Sequence, residues 1–144
     1  MPKVTETTLE IDLNALGHNY RYLTSKLNKK TKVLAVVKAF GYGSDSIGIA
    51  KELEKLGVDY FAVAYAAEGE ALRIAGIISP ILVLHPLPAN FKLILDRCLE
   101  PSLYSQKVLS EFISFSEKQG QQNYPIHLKF NTGLNRLGFK ESDL

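Results

Sequence analysis

The chain has 144 residues, of which 46% are hydrophobic and 22% are charged, and its formal net charge is +2 at pH 7. This composition is typical of a folded globular domain, and the mixed charges lack the basic stripe that nucleic-acid binding needs. The single cysteine, Cys98, excludes an internal disulfide framework, and no apolar run approaches the roughly 20 residues of a membrane span. We therefore predict a cytoplasmic protein that has neither nucleic acid nor membrane as a partner.

Strand and helix patterns alternate from the N-terminus onward. Residues 8–12 alternate as a short strand, and Asp12 can cap the helix that follows. The apolar positions of that helix share one face: Leu13, Leu16, Tyr20, Leu23 and Leu27. Residues 33–37 form a continuous apolar run, which predicts a strand covered on both faces. This strand ends at Lys38, just before a glycine-bearing turn.

The alternation continues along the rest of the chain. One helix is predicted to begin at a cap at Ser44 or Ser46 and to end at Gly57. Further helices are predicted from Glu68 to Gly76, over 90–98 and over 105–119. Cys98 would contribute to the packing of the helix over 90–98. Strands are predicted over 59–65, 80–85, 101–104 and 124–130. Such spacing predicts parallel βαβ units, in either an open doubly wound sheet or a (β/α)8 barrel. In both folds functional residues gather at the carboxyl ends of strands, where this chain places Lys38, Tyr65, His85 and Tyr104.

Lys38 is the first candidate for chemistry. Lysine is rarely buried, because removing its ammonium group from water is costly. Desolvation at the end of a buried strand disfavours the charged form, and the resulting amine is a better nucleophile toward a carbonyl, as in Schiff-base lysines. The alternative is that Lys38 reaches solvent as the first polar residue after the strand.

A second candidate region covers residues 127–139. Lys129 lies in an apolar strand, and Arg136 follows a turn as a fork suited to an anionic oxygen or a carboxylate. Taken singly, a solvent-facing lysine and a surface arginine are the alternatives. His127 points to the same side of its strand as Lys129, which makes it a possible neighbour of Arg136. Among the other histidines, His18 is predicted at the surface, and the spacing of histidines and cysteine suits no metal site.

Together, residues 36–43 (VVKAFGYG) and 129–138 (KFNTGLNRLG) resemble two motifs of the alanine racemase family. The resemblance extends to residues 9–13, to residues 61–65 with 68–73, and to residues 80–84. It implies the first five or so strands of a partial (β/α)8 barrel that binds pyridoxal 5′-phosphate. On this basis residues 1–13 are an N-terminal strand segment, and residues 14–144 are an incomplete barrel domain without its C-terminal half and β-domain.

The resemblance also implies roles for four residues. Lys38 would form the Schiff base with the cofactor and act as one acid/base group at the substrate α-carbon. Tyr42 would hydrogen-bond the cofactor phosphate. Arg136 would donate to the cofactor's phenolic oxygen and approach the substrate carboxylate. Lys129, often carbamylated in this family, would orient Arg136.

Because a partial barrel leaves unpaired strand edges, we expect this chain to form a homodimer or higher assembly. The implied parent enzyme converts L-alanine to D-alanine for peptidoglycan synthesis. Its second catalytic base comes from the C-terminal domain of the partner subunit, so we expect this chain alone not to racemise alanine at a useful rate. The chain departs from the common motifs at 40–41, 44–45, Asn131 and Leu134, and residues 40–44 resemble a subgroup fused to a UDP-N-acetylmuramoyl-tripeptide ligase. The alternatives are a single-domain barrel that manages cofactor levels and a non-catalytic assembly domain derived from a racemase.

Overall fold

The computed structural model describes residues 7–143 and contains a five-stranded sheet of order β1-β2-β3-β4-β5. The strands are β1 (Leu34–Val36), β2 (Tyr60–Val63), β3 (Ile81–Val83), β4 (Glu100–Leu103) and β5 (His127–Leu128). All neighbouring strands are parallel, as predicted. A doubly wound sheet reverses its strand order at a switch point, whereas this sheet adds each strand beside the previous one, as a barrel does. The sheet thus has the strand order of a partial (β/α)8 barrel.

Helices connect the strands. They are α1 (Leu13–Thr24), α2 (Lys38–Gly43), α3 (Ser46–Lys55), α4 (Ala66–Ile74), α5 (Phe91–Asp96) and α6 (Gln106–Lys118), with 3-10 turns at Pro88–Asn90 and Glu141–Asp143. Within residues 7–143, none of these helices combines the length and the apolar character needed to cross a membrane.

The hydrophobic core lies between the sheet and the helices. Its largest fully buried side chains include Phe61, Ile81, Phe91 and Phe112, and the last two meet edge to face with ring centroids 5.0 Å apart. These contacts place the helices on one face of the sheet and fix the ends of the strands relative to one another.

The opposite face of β1 is open. Leu34 is 41% exposed and Val36 is 38% exposed, while Val37 at the end of the strand is buried. The prediction that residues 33–37 are covered on both faces was therefore wrong. In the described chain β1 pairs only with β2, so β1 is an edge strand, and the helices protect one of its faces.

The N-terminal segment differs from its prediction. The carboxylate of Asp12 caps α1, accepting hydrogen bonds from Asn14 N at 2.8 Å and Ala15 N at 3.0 Å, as predicted. The predicted strand at 8–12 is absent among the described residues, because no neighbouring strand there completes a hydrogen-bond ladder with it. The proposed 1–13 segment extends over residues 1–6, which lie outside the described part. The predicted apolar face of α1 is only partly buried, since Leu23 is 63% exposed.

Two further local predictions were wrong. Asp45, and neither Ser44 nor Ser46, caps α3, because its carboxylate accepts from the backbone amides of residues 47 and 48 at 3.1 and 3.0 Å. The Ser44 hydroxyl donates instead to Gly41 O. Cys98 is exposed and lies beyond the end of α5 at φ 49°, so it does not take part in helix packing.

Candidate functional site

A cleft of about 430 Å³ lies at the carboxyl ends of the strands. It is lined by Lys38, Ala64, Tyr65, Leu84, His85, Lys129, Arg136 and Leu137. Parallel strands end at one edge of their sheet, so residues that are far apart in sequence meet there. The structure brings three of the predicted site residues into this one cleft, and its volume is in the range of small-molecule sites.

Lys38 enters the cleft at the start of α2, which is a left-handed turn. The φ angles of Ala39, Phe40, Gly41 and Tyr42 are 52°, 54°, 64° and 58°. For residues other than glycine this conformation costs about 1–2 kcal/mol each. The turn is closed by hydrogen bonds from residue 41 to the carbonyl of Val37 at 3.1 Å and from residue 44 to that of residue 40 at 2.9 Å. Lys38 itself is half-buried, less than the sequence predicts.

The position of Tyr42 separates it from the other predicted site residues. Its side chain is 67% exposed at the far end of the left-handed turn, and it does not line the cleft. The role of Tyr42 in holding a phosphate stays a prediction.

Glu68 supports the Lys38 turn, a role that the sequence analysis missed. One carboxylate oxygen accepts from Ala39 N at 2.7 Å, and the other accepts from Ala64 N at 2.7 Å and Tyr65 N at 3.2 Å. A glutamate three residues after the start of a helix is a capping signal. The sequence signals the contact with Tyr65 in this way, but it carries no signal for the contact with Ala39.

Arg136 reaches the cleft from a loop that follows β5. The loop closes on itself, because Asn131 N donates to Phe139 O at 2.9 Å and Phe139 N donates to Lys129 O at 2.8 Å. The Asn131 side chain accepts from the backbone amides of Gly133 at 3.3 Å and Asn135 at 3.0 Å, and its Nδ2 donates to Asn135 Oδ1 at 3.0 Å. Asn131 thus organises the loop, whereas the sequence analysis noted it only as a departure from the common motif.

Aromatic rings form one wall of the cleft. The His85 imidazole stacks on Tyr104 with ring centroids 5.4 Å apart and an interplanar angle of 8°. Tyr65 meets His85 edge to face, with ring centroids 5.6 Å apart. Burial raises the pKa of Tyr104, so its hydroxyl stays neutral around pH 7. Residues from three neighbouring strand ends therefore form a single packed aromatic group.

His127 lies elsewhere. Its Nε2 contacts Glu100 Oε2 at 2.7 Å, and Tyr60 O–H donates to the same carboxylate oxygen. Burial and then the hydrogen bond to Glu100 raise the pKa of Tyr60. The partner of His127 is thus Glu100, and His127 is not among the residues that line the cleft with Arg136. His18 is exposed, as predicted.

The parallel sheet, its strand order and the basic residues at its carboxyl edge define the class of the domain, a partial (β/α)8 barrel. Residues 11–144 match the family model for the N-terminal domain of alanine racemase. The chain therefore belongs to the alanine racemase family.

Individual relatives agree. The chain is 37% identical over 142 residues to alanine racemase 1 of Caldanaerobacter subterraneus subsp. tengcongensis, an alignment covering 98% of this chain and 36% of that protein. The structure of alanine racemase from Bacillus anthracis with bound L-Ala-P superimposes with a TM-score of 0.87 at 30% identity, covering 98% of this chain and 36% of that one. The alanine racemase of Bartonella henselae with covalently bound pyridoxal phosphate gives a TM-score of 0.84 at 27% identity, covering 92% and 39%. The chain spans about a third of the length of these proteins.

Proposed function

We propose that this chain is the cofactor-binding N-terminal part of a pyridoxal-phosphate-dependent racemase that interconverts L-alanine and D-alanine. The observation that carries the proposal is the meeting of Lys38, Lys129 and Arg136 in one cleft at the carboxyl edge of the sheet. Singly, each is an ordinary basic residue. Together they place an amine and a guanidinium fork in the same small volume.

The cleft fits the cofactor on chemical grounds. The Arg136 guanidinium suits a ligand that carries a phenolic oxygen, the Lys38 amine suits its aldehyde carbon, and the wall formed by His85 suits a flat ring. When bound, pyridoxal phosphate supplies the electron sink for removal of the substrate α-proton. We propose that Lys38 anchors it and that Tyr42 binds its phosphate.

We propose separate roles for Lys38, Arg136 and Lys129 in the reaction. Lys38 would hold or release a proton on one face of the alanine α-carbon. Arg136, exposed at the cleft, would donate to the phenolic oxygen and to the substrate carboxylate. Lys129, half-buried beside it, would carry a carbamate whose negative charge orients the Arg136 guanidinium. The product, D-alanine, would supply peptidoglycan synthesis in the cytoplasm.

Titration of the chain with pyridoxal phosphate tests the anchor. We expect a visible absorbance band that is present in wild type and lost in Lys38→Ala. Lys32→Ala is the matched control, because Lys32 is exposed just before β1 and lies outside this cleft. A band that persists in Lys38→Ala would contradict the proposal. No band in any of the three proteins would favour the non-catalytic assembly domain.

Racemisation in both directions needs an acid/base group on each face of the α-carbon. Since the chain aligns with 36% of a whole racemase, we propose that it contributes one of these groups, Lys38, and is inactive alone. D-alanine formation should be measured for this chain and for a protein extended by the remaining two thirds of a relative. Comparable turnover by the two would overturn the proposal of inactivity.

The edge of the sheet supports an assembled state. Leu128 is 49% exposed and Phe130 is 41% exposed on β5 and just after it, and among the strands of residues 7–143 β5 pairs only with β4. An uncovered apolar strand edge favours association. We propose a homodimer or higher assembly, and light scattering at high concentration checks this, with a monomer as the contrary result.

A further inference from the structure

The backbone at Ala39 needs an external partner. Ala39 N belongs to the first turn of α2, and the first amide groups of a helical turn have no acceptor inside that turn. Three residues of the same turn, Ala39, Phe40 and Tyr42, hold positive φ angles without being glycine. Such a conformation persists only where surrounding groups stabilise it.

Glu68 supplies that stabilisation. Its half-buried carboxylate accepts from Ala39 N at 2.7 Å through one oxygen and from Ala64 N at 2.7 Å through the other. Ala39 follows β1 and Ala64 follows β2, so one side chain joins the ends of two neighbouring strands. Both bonds are short and involve a charged acceptor, which makes them stronger than ordinary amide hydrogen bonds.

The consequence falls on Lys38. The amide bonded to Glu68 is the next one after Lys38, so the carboxylate fixes the point from which the lysine side chain enters the cleft. Without this bond, the internal hydrogen bonds of the turn, such as that from Gly41 N to Val37 O, must oppose the cost of the left-handed backbone without help from α4. We therefore expect loss of the Glu68 bond to loosen the turn and, with it, the position of the Lys38 amine in the cleft.

We propose that Glu68 is a positioning residue that holds the left-handed turn and thereby sets the Lys38 amine in the cleft. It acts through the backbone of Ala39. The part that concerns cofactor binding rests on the proposed function, whereas the part that concerns the turn stands without it.

Glu68→Gln is the main test. Glutamine has one oxygen and one NH2 group, and only the oxygen accepts a hydrogen bond. Either Ala39 N or Ala64 N would therefore face the NH2 group and lose its acceptor. Glu68→Asp is the second variant, since it keeps the charge near the start of α4 but is one methylene too short to serve both ends. Glu70→Gln is the matched control, because Glu70 lies on the same helix and pairs with Arg97 at 2.9 Å, away from the turn.

Hydrogen exchange of the Ala39 amide, followed by NMR, is the readout that does not involve cofactor. We expect exchange to be about 10-fold faster in Glu68→Gln and Glu68→Asp, and to change by less than about 2-fold in Glu70→Gln. The apparent dissociation constant of pyridoxal phosphate, from the Lys38-dependent band, should rise about 10-fold in the first two variants. Amides in β3 report whether each variant stays folded.

Unchanged protection of Ala39 in both Glu68 variants would overturn the proposal. So would faster exchange at Ala39 with unchanged cofactor affinity, because the turn would then not position Lys38. If wild type shows no Lys38-dependent band, the proposed function fails, and the exchange result alone decides whether Glu68 holds the turn.

Discussion

Two loops bring the basic residues to the cleft, and they are stabilised in opposite ways. The turn that presents Lys38 is held by Glu68, a residue 29 positions away in the sequence. The loop that presents Arg136 is held by Asn131, which lies within the same loop. The first loop depends on the packing of two strands and a helix, whereas the second carries its own support.

The two loops also differ in the residue types that they place at positive φ angles. The Arg136 loop places glycine at two of its positive φ angles, Gly133 at 127° and Gly138 at 131°, and asparagine, which tolerates the left-handed region, at Asn135. The Lys38 turn places Ala39 and bulky aromatic residues there instead. A loop built of tolerant residues forms from local chemistry, while a strained turn needs contacts that only the folded chain provides.

The largest effect is expected from Gly138→Ala. A Cβ on Gly138 would lie 2.6 Å from Asn131 N and 2.7 Å from Phe130 C, so the backbone of the loop would have to shift to admit it. We expect a loss of about 3–5 kcal/mol in the free energy of unfolding, measured by urea denaturation. Gly133→Ala is the control, since it has a similar φ but nothing within 4 Å, and we expect about 1–2 kcal/mol. Equal losses for the two variants would show that the close approach at Gly138 does not hold the loop together.

Asn131 tests the internal support of the Arg136 loop. Asn131→Ala removes the acceptor for the amides of Gly133 and Asn135, and we expect a loss of about 1–2 kcal/mol in unfolding free energy. Asn131→Asp keeps that acceptor, and the Asn135 amide can turn to donate to it, so we expect a change below about 0.5 kcal/mol. Thermal and urea unfolding of both variants measure this. A large loss in Asn131→Asp would mean that the amide donor, and not the acceptor, organises the loop.

A smaller effect on stability is expected from a change in pH. It concerns residues 78–79, which are held by the carboxylate of Glu54 from a distant part of the chain. Glu54 accepts from Ile78 N at 2.9 Å and from Ser79 N at 2.8 Å. Burial acts to raise the pKa of Glu54, but the hydrogen bonds from Ser79 and Ile78 outweigh it and lower the pKa below the ordinary 4.5. These bonds therefore stabilise the fold fully at pH values above 4.5, and their contribution is lost as the pH falls through the lowered pKa of Glu54.

Glu54→Gln is the corresponding variant. It should lower stability by about 1 kcal/mol near neutral pH and remove part of the loss on acidification, as measured by urea unfolding across the acid range. The Arg136 loop, held by an uncharged amide, should keep the protection of its amides over the same range. An identical acid profile in wild type and Glu54→Gln would contradict the linkage.

Much of the fold could be predicted from the sequence, because βαβ spacing and helix signals are local. The parallel pairing of the strands and the cap at Asp12 are examples, and both were confirmed. The predicted coverage of β1, the strand at 8–12 and the burial of Cys98 were wrong, since each depends on what lies beside the segment. Of the site, the meeting of Lys38 with Lys129 and Arg136 was predicted, whereas the partner of His127 was not.

The sequence by itself determined the family, the β/α alternation and the basic residues at the strand ends, since motifs and periodicity are written in residue order. Only the tertiary structure decided how those residues are held. The left-handed backbone after Lys38 and its hydrogen bond to Glu68 come from the packing of β1, β2 and α4. Propensity alone argues against such a turn for alanine, phenylalanine and tyrosine, and the contacts that offset its cost exist only once distant segments have come together.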